Sequence, residues 1–186
     1  MTDTLPFATP ADWNTWLAAH PDATEVWLLY HKKGSGTQSI DWPQAVVEAL
    51  AHGWIDGIRK TLSDTQWVQR FTPRKPGSSW SLINIAHAER LIAEGRMTPR
   101  GLAAVDVAKA RGDWDRGYSG GKNADLPQDF LDAAAVNPQA SLALKTLDTR
   151  TRYAIYYRIT TAKRPETRAR KIAEFVAKLA AGTPIP

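Results

Sequence analysis

A chain of 186 residues, 43% apolar and 23% charged, is long enough to bury a core and has the make-up of an ordinary globular protein. The absence of cysteine excludes disulfides, thiolate metal sites and a cysteine nucleophile, and no run approaches the ~20 apolar residues of a membrane span. The net charge of +5 is concentrated at one end, where residues 148–186 hold nine Lys and Arg against three Asp and Glu.

The first thirteen residues, MTDTLPFATPADW, lack a basic segment followed by an apolar core. No secretory signal is expected from them, and a cytoplasmic location follows as the expectation. Thr9-Pro10 reads as a helix start, with Trp13, Trp16 and Leu17 on one face. Residues 25–33, EVWLLYHKK, read as a strand whose near-continuous apolarity predicts burial on both faces. Asp41-Trp42-Pro43 opens a second helix, with Ala45, Val46, Ala49 and Leu50 on one side and Gly53 as its stop. Residues 54–62 and 66–72 are two further strands around a turn at Ser63-Asp64-Thr65.

From Leu82 the spacing is helical. Ile85, Ala88, Leu91 and Ile92 share a face up to Gly95, and Leu102, Val105 and Ala108 follow a start at Thr98-Pro99. Residues 113–125 form a turn-rich loop, and two short helices follow Leu126-Pro127 and Asn137-Pro138. Two last helices cover 149–162 and 165–181, the second with a stripe of Ile172, Phe175, Val176 and Leu179. The fold predicted is α+β and helix-dominated, with a small antiparallel three-stranded sheet in the N-terminal half and a C-terminal helical bundle. It reads as one domain over 1–186: a sheet-containing part to residue 80, a helical part over 81–147, and a basic helical hairpin over 148–186.

Residues 53–84 hold three of the eight Trp and five cations between Arg59 and Lys75. Strict alternation places Trp54, Asp56, Ile58, Lys60 and Leu62 on one face, taken as the inward one. A carboxylate there needs a partner, since an unpaired buried charge is costly, and Arg70 or Arg74 is within reach across the hairpin. Such a pair would either fix strand register or wall a polar pocket. The segment PRKPGSSWS then joins two cations, a glycine and a serine cap at a helix N-terminus, the chemistry of an anion site.

These blocks, EVWLLYHKK, EALAHGWIDG, QRFTPRKPGSSWS, RLIAEGRMTPRGL, AKARGDWDRGY and AKRPETRARKIAEFVAKLAAG, resemble the YdeI/OmpD-associated family, also described as OmdA-like or bacteriocin-protection proteins. The resemblance covers nearly the whole chain. It implies a bacterial stress protein linked to resistance against envelope-acting peptides, sometimes in the periplasm, and it supplies no catalytic mechanism.

Three functions compete. The first is binding of a small anionic molecule by Asp56, Arg59, Arg70, Arg74, Lys75, Ser79, Trp80 and Asn84, with Arg for bidentate contacts and Trp as a wall. The second is nucleic-acid binding by Arg164, Arg168 and Lys171 on the last helix, near the Tyr-rich helix before it. The third is catalysis, the least favoured. His52 and Asp56 are separated by the helix-breaking Gly53, His20, His31 and His87 are scattered, and Ser79 lacks a nucleophile elbow. No catalytic residue, metal ligand or cofactor is assigned. Trp114 and Tyr118 in the 113–125 loop are read either as a contact for another protein or as a lid over the core.

Overall fold

The computed structural model describes residues 4–120 and 125–185, and these fall into two compact units, Met1–Asp115 and Arg116–Pro186. The first unit contains β1 (Thr4–Pro6), α1 (Pro10–Ala19), β2 (Val26–His31), α2 (Trp42–Ala51), β3 (Trp54–Thr61), β4 (Gln66–Pro73), α3 (Leu82–Ala93) and α4 (Pro99–Ala110). The second contains α5 (Gln128–Ala135), α6 (Pro138–Lys145), α7 (Thr149–Thr160) and α8 (Pro165–Ala180). The mixed α and β character stands. Among the described residues, no helix is long and apolar enough to cross a membrane.

The helix starts follow the capping chemistry. Thr9 and Asp41 each close a capping box, with Asp12 and Gln44 respectively, and each is followed by a proline in the first turn. Ser81, one of three serines able to do so, caps α3 by accepting from the Asn84 N–H at 3.2 Å. Gly53 follows α2 at φ +73°, the left-handed conformation that ends the helix without a Cβ penalty.

The sheet departs from expectation in two ways. It has four strands in the order β1-β2-β4-β3, and β1 runs parallel to β2, with Leu5 opposite Leu28. Three residues are too few to show an alternation, so β1 exists only through its pairing with β2. The strands expected from sequence are antiparallel where they pair: β4 lies between β2 and β3, and α2 connects two strands that are not neighbours. The second departure is in β2. Val26, Leu28 and Tyr30 are buried while Trp27, Leu29 and His31 are half-covered, so one face is sealed and not two. The helices pack on that sealed face, where Trp13, Leu17, Leu50, Phe71, Trp80 and Leu91 join it in one core.

A bulge in β3 overturns the strict alternation. Asp56 lies opposite Phe71 and Arg59 opposite Gln69, so Gly57 and Ile58 together face one residue, Arg70. Trp54 and Asp56 therefore share the core side with Phe71, but Lys60 pairs with Val68 on the other side, where its Nζ lies 4.6 Å from the Trp27 ring. Ile58 and Leu62 are exposed. In α4 the buried positions are Gly101, Val105 and Ala108, and Leu102 is 39% exposed, contrary to the inward face expected for it.

The second unit is a helical assembly with its own core of Phe130, Ala134, Ile155, Ile159, Phe175 and Leu179. Ile172 and Val176 pack against that core, as the stripe on α8 predicts.

Candidate functional site

The turn between β4 and α3 builds a small cavity against α4. The Arg74 N–H donates to the Gly53 carbonyl at 2.8 Å, which carries the sheet ladder past the end of β4. Two proline-flanked residues later the chain reverses: the Lys75 N–H donates to Ser78 Oγ at 3.1 Å and the Ser78 N–H to the Lys75 carbonyl at 3.0 Å, around Gly77 at φ +87°. The space enclosed is about 200 Å³ and is lined by Arg74, Lys75, Ser78, Trp80 and Arg100, with Val107 among the apolar walls.

Two of the three cations there, Arg74 and Arg100, are held in place. The Arg74 guanidinium lies 3.6 Å from the Trp80 ring centre and Nη1 donates to the Ser79 carbonyl at 3.3 Å. Trp80 is buried and packs against Trp114, with ring centres 4.9 Å apart. Trp114 is thus a cover on the core of the first unit. Arg100 donates through Nη1 to the Pro21 carbonyl and lies 5.9 Å from the Trp54 ring. No acidic side chain is among the described residues lining the space.

Only part of the expected set meets here: Arg74, Lys75 and Trp80 line the cavity, and Ser79 contributes its carbonyl to Arg74. Asn84 supplies its N–H to the Ser81 cap. Arg70 pairs with Glu25 instead of Asp56, through Nε at 3.0 Å and through Nη2, because it faces the opposite side of the sheet from Asp56. Arg59 stacks over Trp67 at 4.1 Å. Arg100 is the residue that sequence reasoning missed; it stands in the first turn of a different helix, and nothing local distinguishes it from other surface arginines.

Asp56 occupies a separate place. Its Oδ2 accepts from Trp42 Nε1 at 3.1 Å and from Gln69 Nε2 at 3.3 Å. Burial holds its carboxyl above the usual range, opposed by the Trp42 hydrogen bond and, more weakly, by the charge of Arg74. His52, 8% exposed at the end of α2, has its imidazole pushed toward the neutral form by burial, with Glu48 opposing and Arg100 reinforcing the shift.

In the second unit, two of the three cations considered for nucleic acid have intramolecular roles. Arg168 donates to both Asp129 oxygens, at 2.7 and 2.8 Å, and to the Ile159 carbonyl at 3.0 Å. The bidentate pair is the main reason the Asp129 carboxyl sits below its ordinary range. Lys171 Nζ donates to the Arg158 carbonyl at 2.9 Å, at the end of α7. Arg164 stands at the N-cap of α8. Arg168 and Lys171 therefore join α8 to α5 and α7.

Residues 5–104 match the model of a domain of unknown function, DUF8412. Residues 123–182 match the model described as bacteriocin-protection, YdeI or OmpD-associated, the OmdA family. No curated protein and no solved structure matches the chain.

Proposed function

The chain belongs to the DUF8412 family through residues 5–104 and carries an OmdA-type region over 123–182, and from that premise we propose that its first unit binds a small anion in the cavity beside Trp80. One observation carries the reading: Arg74, Lys75 and Arg100 line one space that no carboxylate enters among its described lining residues. Three cations around about 200 Å³ favour negative charge, and the Trp80 wall lowers the local dielectric. The volume lies below the roughly 300–1,000 Å³ of sites for drug-sized molecules. It suits phosphate, sulfate or one carboxylate group of a larger molecule. A protective role against bacteriocin-type peptides, the property in the OmdA family's name, is the setting in which such binding would act.

The test is thermal denaturation with inorganic phosphate, against sodium chloride at matched ionic strength. At a hundredfold excess over Kd, binding to the folded state alone adds about 2.7 kcal/mol. Lys75→Ala and Arg100→Ala, both on the rim, should lose most of this gain, whereas Arg74→Lys should retain part of it. No phosphate-specific stabilisation, or an equal gain in both alanine variants, would rule the site out.

A further inference from the structure

The walls of the cavity beside Trp80 are not uniform. α4 gives it Arg100, Ala103, Ala104 and Val107, positions three and four apart that share one helix face. The charge stands in the first turn, and the two turns after it present only methyl groups on that face. Val107 lies about 10 Å along the axis from Arg100, at roughly 1.5 Å per residue. The turn that closes the cavity against α4 adds Pro73 and Pro76, which have no N–H to donate.

Lys75 and Arg100 are exposed, so a ligand can reach both. Arg74 is the less available cation, being stacked on Trp80 and tied to the Ser79 carbonyl. Val107 is 40% exposed, so apolar surface stays uncovered in a cavity whose rim is cationic. Past the first turn of a helix the backbone N–H groups are spent on the helix's own ladder. The wall of Ala103, Ala104 and Val107 therefore has nothing to offer an oxygen. Phosphate carries oxygens on every side, and one pressed against methyl groups goes unpaired at a cost. A carboxylate gathers its oxygens at one end and leaves hydrocarbon at the other.

We propose that the ligand's anionic group is a carboxylate ending a short aliphatic chain, with its oxygens at Lys75 and Arg100 and its chain against Ala103, Ala104 and Val107. This inference rests on the anion reading above and names the ligand class for it. A free short-chain acid and the C-terminus of a peptide ending in an aliphatic residue share this chemistry.

The test is isothermal titration calorimetry of the full chain with acetate, propionate, butyrate and 3-methylbutanoate at fixed ionic strength, beside inorganic phosphate and the neutral 3-methylbutanamide. Each added methylene should tighten binding about fourfold, the worth of burying it, until the cavity is filled. The amide should not bind. Val107 lies outside the buried core, so Val107→Ser should fold. That variant should lower the ratio of 3-methylbutanoate to acetate affinity by about fourfold or more, whereas Lys75→Ala should weaken both acids and keep the ratio. N-acetylvaline separates the two sources: binding tighter than 3-methylbutanoate assigns the site to a peptide C-terminus, and weaker binding assigns it to a free acid. Phosphate binding with an acid series flat in chain length would overturn this inference and leave the anion site standing. Binding of none of these anions, or of the amide as tightly as the acid, would overturn both.

Discussion

Single side chains show how far local chemistry can be read without coordinates. His52 follows the last turn of α2, and the sequence offers no sign that the tertiary core will cover it. In the fold burial shifts its imidazole toward the neutral form. In the unfolded chain this side chain takes up its proton near pH 6.5, and in the folded chain only at lower pH. The folded pKa is thus the lower one, so stability is full above that pH and falls as the solution is acidified through it. Thermal melts between about pH 7.5 and 5.5 should show a falling Tm, and His52→Gln should flatten the slope. His87 is shifted in the same direction by burial and by Arg90, so a residual slope is expected to remain. A slope identical in parent and His52→Gln would remove His52 from this account. Arg70 teaches a related lesson. The sequence shows that it needs a carboxylate but not which one, and Glu25 becomes the partner only when β2 lies beside β4.

Secondary-structure segments were legible where the signal is local. The caps at Thr9, Asp41, Ser81 and Thr98, with prolines after three of them, put the helix starts where side-chain oxygens can meet the first free N–H groups. Packing between segments was not legible, and Gly101 is the clearest case. A Cβ there would stand 2.2 Å from the Ala51 carbonyl oxygen, an atom that already accepts from the Thr98 N–H and hydroxyl at 3.0 and 2.9 Å. In an open helix, glycine to alanine stabilises by about 1 kcal/mol. Here the clash is with backbone that is itself pinned, so Gly101→Ala should reverse the sign and cost about 1–3 kcal/mol. Denaturant unfolding of the variant measures this, and a stabilised variant would mean that α4 can shift freely. The β3 bulge is the same kind of event. Alternation in the sequence predicts one continuous face, but Gly57 and Ile58 jointly oppose Arg70 and transfer Lys60 to the other side.

Each unit of the chain gathers its own buried cluster, one centred on Trp13, Trp54 and Phe71 and the other on Phe130, Ile155 and Phe175. The described residues of the first unit hold a four-stranded sheet, four helices and a core of nineteen buried residues, so a fragment of residues 1–115 carries its own core. It is expected to unfold cooperatively and to keep the phosphate response proposed for the cavity beside Trp80, as calorimetry with and without phosphate would reveal. A fragment that melts without a heat-absorption peak would show that this core is insufficient by itself.

The amino-acid sequence on its own determined the helix starts and stops, three of the four strands, the mixed α and β class and the kinship of the C-terminal part, because each rests on neighbours in the chain or on blocks that resemble a known family. Only the tertiary structure decided which cations share a cavity and that Arg70 meets Glu25 and Arg168 meets Asp129. These outcomes depend on distances between groups far apart in sequence. They are set by strand order, by one extra residue in a ladder and by how closely two helices approach, and no local pattern of residues encodes them.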